Sequence, residues 1–155
     1  MQGKPEILEV LNMLLADELT AINQYIVHSE MCANWGYERL HEFSEKRAID
    51  EMKHAEKLIA RILFLEGRPI VSRLNPMHIG ETVEMQLRHD LESETAAIRA
   101  YNDAIRKCAD LGDNGTRELL EEILEDEEEH LDRLEAQLEQ IAQMGIQIYL
   151  AEQLH

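Results

Sequence analysis

Apolar residues recur three and four positions apart through four long segments of the chain, the pattern of amphipathic helices with one buried stripe. The first stripe runs Ile7, Leu11, Leu14, Ile22 and Tyr25. Pro5 is placed to open that helix, and Asn34, Trp35 and Gly36 to end it. The second runs Leu40, Ala48, Ala55, Leu58, Ile62 and Leu65, and Gly67 with Pro69 stops it. Val83, Leu87, Leu91, Ile98, Tyr101 and Ile105 form the third, which ends in the breaker cluster around Gly112 and Gly115. In the fourth, Leu120, Leu124, Leu131, Leu134, Leu138 and Ile141 line up between Thr116, a suitable N-cap, and Gly145. The pattern predicts helices over about 5–34, 38–65, 82–111 and 115–144, with a short one over about 146–153.

The spacing of these segments sets the topology. The first and third links are a few residues long, which makes two antiparallel helical hairpins. Residues 66–81, with Pro69, Pro76 and Gly80, can instead run the length of a bundle and leave helices two and three parallel. The expected fold is an all-α four-helix bundle with one long crossover and a short C-terminal fifth helix. Residues 1–155 are read as a single domain.

Composition sharpens this picture in a few respects. Hydrophobic residues make up 45% of the chain, enough for a core, and three prolines leave little to interrupt helix. A formal net charge of −17 argues against nucleic acid as a partner, since binding it needs a basic footprint. No leader-like segment appears, and no apolar run approaches the ~20 residues needed to cross a bilayer. The expectation is a soluble, cytoplasmic protein without membrane contact. Cys32 and Cys108 form no metal or redox motif and read as free thiols.

Each of the four stripes is broken by one glutamate in apolar register: Glu18, Glu51, Glu94 and Glu127. Four carboxylates in one buried layer repel one another and each costs several kcal/mol to desolvate. Few basic residues lie near these positions on the same faces, so metal is the better expected partner. The motif Glu-x-x-His occurs four times, at Glu38/His41, Glu51/His54, Glu127/His130 and Glu152/His155. In a chain with 24 glutamates, chance matches are expected, so the motif alone proves little.

Spacing separates the matches. A glutamate precedes Glu51 and Glu127 by 33 residues, at Glu18 and Glu94, whereas the same offset from Glu38 and Glu152 falls on Pro5 and Leu119. The two surviving sets also form an internal repeat of 76 residues. It superposes Glu18, Ala21, Ile22 and Tyr25 on Glu94, Ala97, Ile98 and Tyr101, and Asp50, Glu51 and His54 on Asp126, Glu127 and His130. Packing alone gives no reason to repeat Glu and His. An offset of three on a helix lets both side chains reach one ion. The expected centre therefore has Glu51 and Glu127 bridging two ions, with Glu18 and His54 completing one and Glu94 and His130 the other. This oxygen-rich set suits iron or manganese better than structural zinc.

At these residues the sequence resembles the bacterioferritins. The segments Leu15–Tyr25, Ala48–Ala55, Ile62–Gly67 and Glu125–His130 carry the likeness. The resemblance implies a ferritin-like fold and a hollow homo-oligomer of 24 subunits that stores iron. Each subunit would oxidise Fe²⁺ with O₂ or H₂O₂ at a site for two iron ions, the six residues Glu18, Glu51, His54, Glu94, Glu127 and His130. It further implies a haem shared between two subunits, with Met52 as axial ligand and Leu19, Ile22, Asn23, Ile26 and Ile49 beside it. A ferredoxin-type reductant for iron release is another implied partner. The chain departs from the family pattern at Glu45, Lys46 and Arg47, where an aromatic and then acidic or histidine residues are more usual. Iron passage from site to cavity is expected to differ there.

Tyr25 and Tyr101 are placed to hydrogen-bond near the site, and equally to be plain core residues. His28, His41, His78, His89 and His155 lack partners at ligand spacing and read as surface or locally bonded. Two other functions fit the same residues. One is a di-iron or di-manganese oxidase or peroxidase that stores nothing. The other is a haem electron-transfer protein with structural metals.

Overall fold

The computed structural model describes residues 1–155. Five helices follow one another: α1 (Pro5–Trp35), α2 (Glu38–Phe64), α3 (Val83–Asp110), α4 (Asn114–Met144) and α5 (Ile146–Ala151). Pro5 sits in the first turn of α1, where its missing N–H costs nothing. Gly36 ends the helix with φ 86°, a left-handed conformation that L side chains resist. Its N–H and that of Tyr37 return to the Ala33 and Cys32 carbonyls, so the chain reverses at once into α2. The side chain of Thr82 caps α3 through the Met85 N–H, and that of Asp113 caps α4 through the Thr116 N–H.

The crossover of residues 65–82 lies along α1 and is pinned to it at regular intervals. Ile70, Asn75, His78 and Gly80 donate backbone N–H groups to Asn12 Oδ1, Thr20 Oγ1, Gln24 Oε1 and His28 Nε2 in turn. The acceptors climb α1 from its start towards its end, so the strap rises the length of the bundle and starts α3 near the start of α2. Helices α2 and α3 are therefore parallel, the ferritin-like topology. Gly80 closes the strap, because a Cβ there would meet the Gln86 N at 2.4 Å.

Two main apolar clusters fill the interior, with Ala21, Tyr25 and Ala48 forming a minor third. The larger gathers Leu11, Leu15, Leu58, Ile62, Leu120 and Ile123, among others. The smaller gathers Cys32, Leu40, Leu87, Leu134, Ile141 and Tyr149, the last brought in by α5. On all four long helices the glutamates at 18, 51, 94 and 127 fall between the residues of one cluster and those of the other. The polar layer is thus clamped from both ends. Both cysteines are buried and free. No helix is long and apolar enough to cross a membrane.

Candidate metal centre

One glutamate from each long helix, with His54 from α2 and His130 from α4, meets in the bundle interior, every one of the six between 0 and 3% exposed. The six resolve into two overlapping groups, Glu18–Glu51–His54–Glu127 and Glu51–Glu94–Glu127–His130. Within each group the available ligand atoms lie within 4.8 Å of one another. Glu51 and Glu127 belong to both groups, which is the geometry of shared, bridging carboxylates.

The arrangement is close to twofold symmetric. His54 Nδ1 stands 3.1 Å from Glu127 Oε1, and His130 Nδ1 stands 3.1 Å from Glu51 Oε1. Tyr101 donates its hydroxyl to Glu18 at 2.5 Å, and Tyr25 donates to Glu94 at 2.7 Å. On the outer side of each imidazole, Nε2 meets a carboxylate of the opposite hairpin at 2.9 Å. The partners are Asp126 for His54 and Asp50 for His130. A carboxylate at Nε2 holds the proton there and turns Nδ1 inward with its lone pair free. Asp50 and Asp126 each precede a site glutamate by one residue, which puts them about 100° away around the helix. They serve the histidine of the other helix.

Seven buried side-chain atoms have no hydrogen-bond partner: Arg47 Nε, and one atom from each of the six residues, Glu18 Oε2, Glu51 Oε1, His54 Nδ1, Glu94 Oε2, Glu127 Oε1 and His130 Nδ1. Buried polar atoms are rarely left unpaired, and six converging in one layer mark a place built for something else. Acceptor oxygens and imidazole lone pairs fit cations, so the residues suit a pair of divalent ions.

Without ions, protons take up the charge. Burial, together with Glu94 and Glu51, pushes Glu127 well above the usual carboxylate range. Burial and the neighbouring Glu18 carry Glu51 up to about 7. Burial alone would lower the histidines, but Glu51 and Glu94 raise His130 to about 11, and Glu127, Glu18 and Glu51 raise His54 well above its ordinary value. Glu94 moves the other way. Against the upward push of burial, His130 and Arg47 hold it down to about 2.

Arg47 corrects the sequence reading, which saw few basic residues near the site. It lies buried, with Nη1 donating to Asp90 at 2.9 Å and Nη2 to Glu94 at 3.1 Å, its guanidinium 4.0 Å from the Tyr25 ring centre. His28 is corrected with it. It is fully buried and bonds to distant Asp90 through Nδ1 while its Nε2 accepts from Gly80. Met52, by contrast, lies outside the layer on the exposed side of α2, as do Ile49 and, on α1, Ile26. A cavity of about 290 Å³ is lined by buried Glu18, Glu51 and Glu127 and by exposed Asn75, His78 and Glu92, and so links the centre with the surface.

The comparisons with known proteins agree with this architecture. A ferritin-like domain model matches residues 8–144. The chain is 44% identical over 152 residues to the bacterioferritin of Mycolicibacterium paratuberculosis, covering 98% of this chain and 96% of that one. It is 42% identical to the bacterioferritin of Brucella melitensis, covering 96% and 92% of the two chains. It is likewise 42% identical to that of Rhodobacter capsulatus, covering 95% and 91%. Fold, buried carboxylate–imidazole centre and relatives converge on one conclusion: the chain belongs to the bacterioferritin family of ferritin-like proteins.

Proposed function

We propose that this protein oxidises and stores iron, with Glu18, Glu51, His54, Glu94, Glu127 and His130 as the ligands of a ferroxidase centre within each chain. Fe²⁺ is both substrate and cargo. Glu51 and Glu127 are shared by two ions, Glu18 and His54 complete one set, and Glu94 and His130 the other. The tyrosine hydroxyls and the two aspartates hold these side chains in place. Two electrons from a pair of Fe²⁺ ions reduce O₂ or H₂O₂. Four carboxylates and two neutral imidazoles balance two divalent ions, and the two positive charges added on oxidation to Fe³⁺ would be offset by the oxygen anions that the reduced oxidant supplies. The observation that carries this reading is the set of six buried oxygen and nitrogen atoms without hydrogen-bond partners, one from each residue.

The ferric product is stored in a cage of 24 such chains. Met52, exposed on α2 with Ile49 near it in sequence, would hold the iron of a haem shared by two subunits. A soft thioether on an outward apolar face fits that role, a bound haem would supply one-electron chemistry there, and a ferredoxin-type reductant is the expected partner for iron release. Fe²⁺ added aerobically to the purified protein should be oxidised rapidly, with ferric mineral eluting at the mass of a 24-subunit particle. Rapid oxidation by a species near the mass of one chain, with no mineral retained, would sink the storage reading. An unaltered haem spectrum in Met52→Leu would remove Met52 as ligand.

A further inference from the structure

The 76-residue repeat makes the two halves of the centre nearly superposable, and one feature breaks the match. Around Glu94 lie Arg47, Asp90, His28 and Gln24, all buried and joined to one another. Arg47 bridges Asp90 and Glu94, while His28 and Gln24 both bond to Asp90 Oδ1 at 2.9 Å. The repeat counterparts of these four are Ile123, Leu14, Ala104 and Ala100. Those residues belong to the larger apolar cluster or pack against it. Glu18, the counterpart of Glu94, accepts from the Tyr101 hydroxyl and has no Lys or Arg bonded to it.

We propose that Arg47 makes the two halves unequal toward divalent cations, so that the first ion settles in the Glu18–His54 half and the second enters the Glu94–His130 half more weakly. The inference rests on the di-metal reading above. Glu94 Oε1 already takes two donors, the Tyr25 hydroxyl and Arg47 Nη2, and this leaves Oε2 as its free atom. Arg47 keeps its charge at any working pH. A fixed positive charge bonded to one ligand opposes a dication at that ligand, and burial leaves it little screened. Asp90 offsets part of this, but it holds the other arm of the guanidinium, and Nη2 touches Glu94 directly. The Tyr25 ring stacked on the guanidinium keeps it from swinging away. On the other flank, Ile123 and Leu14 add no charge. The expected separation in affinity is on the order of tenfold.

Redox-inactive Co²⁺ tests this without turnover. The metal-free assembled protein is loaded with one Co²⁺ per chain, and the occupancy of each half is read from anomalous scattering in crystals. Calorimetry of the full titration follows in solution. The expected result is density mainly at Glu18 and His54, with two resolved binding steps. The double variant Arg47→Gln/Asp90→Asn, which removes both buried charges, should bring the occupancies together, and Arg47→Lys should keep the order. Equal occupancy in the unaltered protein, first filling at Glu94 and His130, or an undiminished bias in the double variant would each overturn the proposal. Should the double variant fail to fold, the occupancies in the unaltered protein decide alone. Failure to bind two ions per chain would instead overturn the di-metal reading itself.

Discussion

The two flanks of the metal centre begin from the same repeated plan and finish differently. On the α1–α2 hairpin and on the α3–α4 hairpin the repeat supplies the same inner parts: a terminal glutamate, a shared glutamate, an inward-facing imidazole, a tyrosine hydroxyl and an aspartate behind the ring. Beyond that shell, Leu14, Ala104 and Ile123 continue as apolar core, while Arg47, Asp90, Gln24 and His28 form a buried polar network tied to the crossover through Gly80 and His78. A symmetric set of inward-facing carboxylates and imidazoles thus sits in an asymmetric electrostatic frame. The two halves match where their side chains reach the centre and differ in what lies behind it.

The largest effect should come from a change that strikes both halves at once. Removing a shared carboxylate with Glu51→Ala or Glu127→Ala should slow the initial oxidation of Fe²⁺ by at least ~10²-fold, and the two variants should be equally impaired. Stopped-flow absorbance checks this, and an undiminished initial rate in either would mean the residue is not a bridge. The aspartates behind the imidazoles come next. Asp50→Asn and Asp126→Asn should each weaken Co²⁺ binding roughly 10- to 100-fold. Asp50 is 25% exposed and Asp126 is 51%, so the less solvated Asp50 should matter more. A titration in which the two variants bind as tightly as the parent would remove this orienting role.

Protons provide a third test that treats the centre as a whole. Near neutral pH the metal-free site holds protons on His54 and His130, raised by the neighbouring glutamates, and partly on Glu51, raised by burial and Glu18, while Glu127 is pushed in the same direction. Divalent ions must displace them, so binding should release protons and tighten as the pH rises through about 7. Calorimetry in buffers of different protonation heat reads the number released; no dependence on buffer would contradict the charge balance drawn here. The smallest effects separate the flanks again. Tyr25→Phe and Tyr101→Phe each remove one hydrogen bond to a carboxylate, worth ~1 kcal/mol in thermal stability of the metal-free protein. Tyr25→Phe should be the milder, because Arg47 still holds Glu94. Equal shifts in melting temperature would mean that Arg47 gives Glu94 no support.

Much of this protein was legible along the chain. Period and breakers pointed to helices, link lengths implied two hairpins and a crossover, and the offsets of 33 and 76 residues singled out the six side chains that converge. These are local or repetitive signals, and a helix converts regular spacing directly into direction in space. Arg47 and His28 were misread for the opposite reason. Arg47 meets Asp90 and Glu94, 43 and 47 residues away, and His28 meets Asp90, 62 residues away. Nothing in the neighbourhood of either residue announces such partners. Asp50 and Asp126 likewise act on a histidine of the opposite hairpin, 80 and 72 residues distant. The sequence by itself determined the helices, the repeat and the six side chains that converge, because each depends on spacing within one helix or one hairpin. Which half of the site carries a buried positive charge was decided only when α1, α2, α3 and the crossover packed together, because a buried charge is defined by what surrounds it.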